Sequence, residues 1–457
     1  MTATATIASA RPHDLRGLIA DIAGIATIND PALVRARSQD FNWYSPILKE
    51  QLEGKTAALI VSPRDEAEVV RVAAACARYR VPITIRGGGT GNYGQAVPLE
   101  GGIILDMTAM ASIEWHRAGA VRVTAGMKMV DLDDALQAQG WELRMHPSTK
   151  RSATIGGFIA GGSGGVGSVA YGGLREAGNV LAARIVTVED EPRILELRDR
   201  DALTINHAYG TTGIITALEM PLAPAWPWID VIVAFDEFID AVECGHAIAL
   251  ADGIVKKLLT PLAWPIPSYF KPYRGQCPED RSILIAMIAE PSLSTFQALV
   301  ATMGGDITYS KPTNEGPGGK PLYECTWNHT TLYALKADKR VTYLQAMYPA
   351  ERLVEAVNEL ATLFGDELIP HLEFVRFGGR VTASGLPVLR FTSAERLKEI
   401  IALHEERGVS IANPHVVTLE DGARHKRADA DQLQFKHRVD PYGLMNPGKM
   451  RSFVAAR

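Results

Sequence analysis

The spacing of apolar and polar positions changes along the chain, and each change marks an expected element. Ala57–Val61 (AALIV) is an apolar run of the length a buried strand takes. In SPRDEAEVVRVAAACARYR, which follows, Ser62, Pro63, Asp65 and the acids of the first turn signal a helix start. The next run, VPITI, alternates like a strand and enters a glycine-rich loop. Further strands are expected at Gly102–Asp106 and Val121–Thr124, a short helix over Asp131–Gln139, and strands at AARIVTVED and GIITALEMPL. Three prolines among apolar and aromatic residues in Pro221–Trp228 (PLAPAWPW) suit a rigid crossing between domains.

Beyond Ile229 strand-like and helix-like stretches alternate. VIVAF precedes a helix over Asp236–Ala251, RSILIAMIAE precedes one over Ser292–Met303, and PVLRFTS follows one over Glu351–Phe364. AERLKEIIALHEERG ends on a glycine cap. The pattern predicts an α+β unit with an antiparallel sheet. From Ile411 to Arg457 the chain returns to Pro- and Gly-rich loops.

Composition narrows the function classes. A net charge of −5 over 457 residues, with both signs mixed, offers no footprint for nucleic acid. No apolar run is long enough for a membrane span, and MTATATIASARPHDL lacks the features of a secretory signal and reads as a frayed end. Cys76, Cys244, Cys277 and Cys325 are widely spaced, which argues for reduced thiols in a cytoplasmic protein and against a cysteine-rich metal site.

The candidate chemistry lies in two glycine tracts. Ile83–Gln95 (ITIRGGGTGNYGQ) holds five glycines in thirteen residues, and Gly156–Gly167 holds seven in twelve. Gly89-x-Gly91-x-x-Gly94 matches the dinucleotide spacing, but Pro98, Gly101 and Gly102 leave no room for the helix that motif needs, and Asp106 comes too early. Gly162-x-Gly164-x-x-Gly167 repeats the spacing. Gly161-x-Ser163-x-Gly165 copies a nucleophile elbow without a flanking strand and helix, leaving a serine hydrolase using Ser163 as a competing class. Gly443 to Lys449 imitates a phosphate loop, but Met450 replaces its hydroxyl residue and no helix can follow. Taken together, the two tracts suit a nest of backbone N–H groups around a long diphosphate cofactor.

Four stretches in this order, VSPRDEAEVVRVAAACARYRVPITIRGGGTGNYGQ, PSTKRSATIGGFIAGGSGG, YGTTGIIT and DPYGLMNPGK, resemble the FAD-linked oxidases with a PCMH-type (vanillyl-alcohol oxidase-like) FAD domain. The resemblance is nearest to the glycolate, D-lactate and D-2-hydroxyglutarate dehydrogenase branch. It implies an α+β fold: an N-terminal segment 1–50, a two-part FAD domain 51–225, a substrate cap 226–410 with an antiparallel sheet, and a C-terminal segment 411–457 returning to the FAD domain. It assigns Arg86, Gly87, Gly88, Gly89, Thr90, Gly91 and Gln95 to the pyrophosphate. Pro147, Ser148, Thr149, Ser152, Thr154, Gly156, Gly157, Ala160 and Ser163 fall to the ribityl and ring region, Gly213 and Ile215 to the adenine end, and Asn446 and Lys449 to the returning tail. Thr90 stands where covalent relatives often carry histidine, which implies non-covalent FAD. The branch's His-Asp-Asn-His metal stretch is replaced by IANPHVVTLEDGARH, with His415 and His425 ten apart, so no metal is expected.

The implied enzyme takes hydride from a C–OH carbon of a small organic molecule, either a 2-hydroxy acid or an aryl or phenolic alcohol; a non-catalytic flavin sensor is a third class. Oxygen, a quinone, a cytochrome or a flavoprotein all remain open as electron acceptor, and a homo-oligomer is equally open. Eleven of the twenty Trp and Tyr residues fall in Trp226–Tyr348. The densest stretch there is LYECTWNHTTLYALK, read as a strand presenting Tyr323, Cys325, Trp327 and His329 on one face. Tyr323, His329 and His415 are the candidate bases; Arg376, or Arg380 in the same HLEFVRFGGR stretch, is the candidate carboxylate clamp.

Overall fold

The computed structural model describes residues 15–422 and 429–455. His425 and the first fourteen residues therefore lie outside the described residues.

Strands Leu59–Ser62, Ile103–Asp106 and Ile83–Arg86 pair in parallel, and Ala26–Ile28 closes one edge antiparallel. Parallel pairing needs a crossover, supplied by helix Glu66–Tyr79. The cap of that helix is Asp65, whose side chain accepts the Glu68 N–H at 2.8 Å; Ser62, expected to start it, ends the strand instead. Val69, Val72, Ala73 and Cys76 form its buried stripe. A second, antiparallel sheet runs Ile113–Arg117, Ala120–Thr124, Ile214–Pro224, Ala182–Val186, Ile194–Arg198, with Trp141–Leu143 also on the long strand. The two sheets share one apolar core.

The expected rigid crossing at Pro221–Trp228 is mostly strand. Ile214–Pro224 runs through Pro221, pairing there with Ala120, and the next strand starts at Trp228. That strand, Trp228–Phe235, lies inside an antiparallel sheet ordered Lys256–Leu262, Ser282–Ala289, Trp228–Phe235, Asp306–Pro312. Alternation divides its residues: Val231, Val233 and Phe235 face helices such as Phe238–Leu250 and Leu293–Thr302, while Ile232 and Ala234 face Ile266, Phe270, Tyr273 and Tyr323. Hairpin Leu372–Phe377/Arg380–Gly385 adds a further small sheet. No helix among the described residues is long and apolar enough to cross a membrane.

One expectation fails at the element level. LYECTWNHTTLYALK is a 3-10 turn, Leu322–Cys325, followed by helix Asn328–Ala337. Its alternate residues therefore share no face, and of Tyr323, Cys325, Trp327 and His329 only Trp327 reaches the cleft described next.

Candidate active site

Strand Ile83–Arg86 delivers the first glycine tract at its carboxyl end, where open α/β sheets place ligands. The loop is pinned from behind on both sides. Phe41 N–H donates to Gly91 O at 2.8 Å, and Asp40 accepts from Ala96 N–H at 3.3 Å. From the tail, Asn446 Nδ2 donates to Gln95 O at 2.7 Å and to Tyr209 O at 2.6 Å, and Lys449 Nζ donates to Gly94 O. Lys449 thus serves as an internal strut, and the phosphate-loop likeness of its motif has no structural counterpart.

The second tract is part helix. Thr154 caps Ile155–Gly161 by accepting Gly157 N–H at 3.2 Å, and buried Ile155, Phe158 and Ile159 hold it to the core. Glycine weakens a helix, so this one depends on its cap and packing. Ser163 follows the helix rather than standing between strand and helix, so the elbow geometry is absent there.

The tracts meet. A Cβ on Gly87 would overlap Thr154 Oγ1, and one on Gly88 would overlap Ser152 O. Thr149 Oγ1 also donates to Thr90 Oγ1 at 3.3 Å. Between the tracts opens a cleft of about 1370 Å³, mouth included. Every residue expected at the cofactor lines it except Ser152, which backs Gly88, and Asn446 and Lys449, which brace the loop. Asn92, Tyr93, Phe158, Tyr209, Trp327, Asn328 and Gln345 line it as well and were not assigned from sequence. Of these, Trp327 and Asn328 stood in the polar-aromatic stretch already singled out.

The donor set suits an anionic, acceptor-rich ligand. Among the described residues Arg86 is the single cationic side chain of the lining, is 7 % exposed, and donates through one terminal nitrogen to Gln39 O at 2.8 Å. Its Nε, the Asn92 Nδ2 and the Trp327 Nε1 are buried donors with no partner. Burial, and then the nearby Arg37, lowers the Arg86 pKa, a strain that a bound diphosphate relieves. Gly161 adds space: a Cβ there would touch only Gln95 Nε2, at 3.6 Å. These residues fit FAD.

None of the four catalytic candidates lines the cleft. Tyr323 packs its ring 4.8 Å from that of His146. His415, 2 % exposed, sits between Ser45 Oγ at 2.7 Å and Tyr343 O at 2.9 Å. Arg376 bonds Val169 O and Asp252, and Arg380 pairs with Glu351. His329 follows the lining residues Trp327 and Asn328, and burial lowers its pKa. The phenols of Tyr93 and Tyr209 are pushed up by burial and stay protonated. Among the described residues no three His, Cys, Asp or Glu side chains gather as a metal-holding group.

A PCMH-like pairing of sheets around a donor-lined double glycine cradle defines an FAD-dependent oxidoreductase. Residues 57–194 match the FAD binding domain family. A D-lactate dehydrogenase of Archaeoglobus fulgidus is 30 % identical over 413 residues, 86 % of this chain and 91 % of that protein. The glycolate oxidase subunit GlcD of Bacillus subtilis is 24 % identical, over 86 % of this chain and 88 % of its own. A solved alkyldihydroxyacetonephosphate synthase shares the fold, with a TM-score of 0.70, 16 % identity, and coverage of 97 % of this chain and 86 % of that one. The chain belongs to the FAD-linked oxidase family.

Proposed function

We propose that the protein oxidises the carbinol carbon of a 2-hydroxy acid. The observation that carries this reading is the alignment of 86 % of the chain with a D-lactate dehydrogenase. When bound, FAD supplies the hydride acceptor. Residues 51–225 would hold it, 226–410 would cover the substrate, and 411–457 would brace the first loop. Arg86, Asn92 and the loop amides would hold the diphosphate, while Gly157 and Gly161 would let the ring lie close to the backbone. Trp327 and Asn328 would shut water out from the cap side.

His329 is the proposed proton acceptor, because burial keeps its imidazole neutral and it adjoins two lining residues. A second reading, an aryl or phenolic alcohol, is supported by the wall of Tyr93, Tyr209 and Trp327. Anaerobic titration of the yellow protein separates the two. D-lactate or glycolate bleaches the flavin under the first reading and vanillyl alcohol under the second, and His329→Gln slows the bleaching by roughly 10²-fold or more. Unchanged bleaching in that variant removes His329 from the role, and bleaching by none of the three compounds removes both substrate readings.

A further inference from the structure

Trp327 lies where the chain passes from the turn Leu322–Cys325 into helix Asn328–Ala337, with φ 51° and ψ −139°. A bulky residue holds a positive φ only where its surroundings impose it. Glu373 imposes it here. Its Oε1 accepts the Trp327 N–H at 2.5 Å, and its Oε2 accepts the Thr260 hydroxyl at 2.6 Å. His371 Nε2 lies 2.9 Å from the same Oε1, and His371 Nδ1 lies 3.1 Å from Leu386 O. Both ring nitrogens lie within hydrogen-bond reach of oxygen atoms, which seats the ring behind the carboxylate and fixes its direction. Glu373, on strand Leu372–Phe377, is 1 % exposed, and His371, the residue before that strand, is 0 % exposed.

What this buried pair places is in the cleft. The far edge of the indole, Cη2, comes within 3.7 Å of where a Cβ on Gly164 would stand, closing the cap onto the second glycine tract. The indole Nε1 and Asn328 Oδ1 are both buried without hydrogen-bond partners, and both residues line the cleft. A donor and an acceptor left unpaired on adjacent residues are stabilised by a ligand that presents the complementary pair, and they discriminate against one that lacks half of it. A 2-hydroxy acid carries such a pair on adjacent carbons, an acceptor carboxylate beside a donor hydroxyl.

We propose that Trp327 and Asn328 form the substrate-orienting corner, with the indole N–H donating to a carboxylate oxygen. Asn328 Oδ1 accepts the hydroxyl's hydrogen bond in the bound ground state, before the hydroxyl turns its proton to His329. Glu373, backed by His371, is the positioning residue behind them. This rests on the 2-hydroxy-acid reading above.

The test uses holoenzyme with D-lactate, followed by rapid anaerobic bleaching, and with propionate, which lacks the hydroxyl, followed by perturbation of the flavin spectrum. Trp327→Phe weakens both ligands by about tenfold, whereas Asn328→Ala weakens D-lactate by about tenfold and leaves propionate unchanged. Glu373→Ala lowers kcat/KM by roughly 10- to 100-fold, and Glu373→Gln, which keeps an acceptor oxygen for the Trp327 N–H, restores it to within about threefold. Flavin content stays at the wild-type level in the Trp327, Asn328 and Glu373→Gln proteins. Wild-type constants in Trp327→Phe and Asn328→Ala overturn the assignment, as does equal loss of both ligands in Asn328→Ala. A wild-type protein bleached by no 2-hydroxy acid overturns the substrate reading, and this assignment with it.

Discussion

At Gly161 nothing in the protein itself demands glycine, since an added Cβ would meet only the Gln95 amide nitrogen in ordinary contact. At Gly88 the reverse holds, because the added atom would collide with the Ser152 carbonyl of the other tract. Two substitutions therefore separate folding from cofactor binding. Compared in the flavin-free form, Gly161→Leu keeps the wild-type melting temperature and far-UV spectrum, but it loses flavin on gel filtration, with affinity down at least about tenfold. Gly88→Ala loses flavin and also about 1–3 kcal/mol of stability, read from its denaturation midpoint. Most glycine positions at the cleft were legible in the sequence, because so dense a cluster weakens any helix or strand and is useful chiefly for its bare backbone. Which glycine serves the protein and which serves the ligand was not legible, since that depends on what lies across the gap. Tyr93, Tyr209 and Gln345 were missed for a related reason: no local pattern marks a residue whose role comes from a distant loop.

The elements with a clean period were read within a few residues, as in Ser282–Ala289, Phe238–Leu250 and Ala394–Glu406. Those set by tertiary context were not. Tyr323 to His329 satisfied an alternation rule over too short a run to tell a strand from a turn and helix start. Ile155–Gly161 forms a helix against its own propensities because Thr154 caps it and the core holds three of its side chains. The returning tail was legible as a segment but not as a clamp. Asn446, at φ 44°, donates its backbone N–H to Ile83 O at 2.7 Å while its amide side chain bridges Gln95 and Tyr209. Asn446→Leu orphans two carbonyls and adds left-handed strain, for a loss of about 2–4 kcal/mol that appears as a lower urea midpoint at unchanged slope.

Across the whole molecule, Asp40 of the N-terminal region and Lys449 of the tail are buried on either side of the first loop. Desolvation raises the Asp40 pKa to about 6 and lowers that of Lys449 to about 7, each opposed by the charge of the other. For Asp40, raised above its ordinary value of 3.8, the stabilising contribution is complete below that value and lost as pH rises through about 6. For Lys449, depressed from 10.5, it is complete above 10.5 and lost as pH falls through about 7. The pair thus contributes least between about 6 and 7. Lys449→Met, which leaves Gly94 O without its donor and the buried Asp40 without its nearby cation, costs roughly 3–5 kcal/mol. Adding Asp40→Asn recovers the part due to the uncompensated charge and flattens both slopes of the stability–pH curve. Chemical denaturation across pH checks it.

The tail's struts on Gly94 and Gln95 span 355 and 351 residues of chain. At ribosomal speeds of about 5–20 residues per second, roughly 20–70 s separate the birth of the first glycine loop from the emergence of its clamp. During translation that loop passes through a stage with its rear fastening unmade, so the cradle gains its last support only after the tail has left the ribosome.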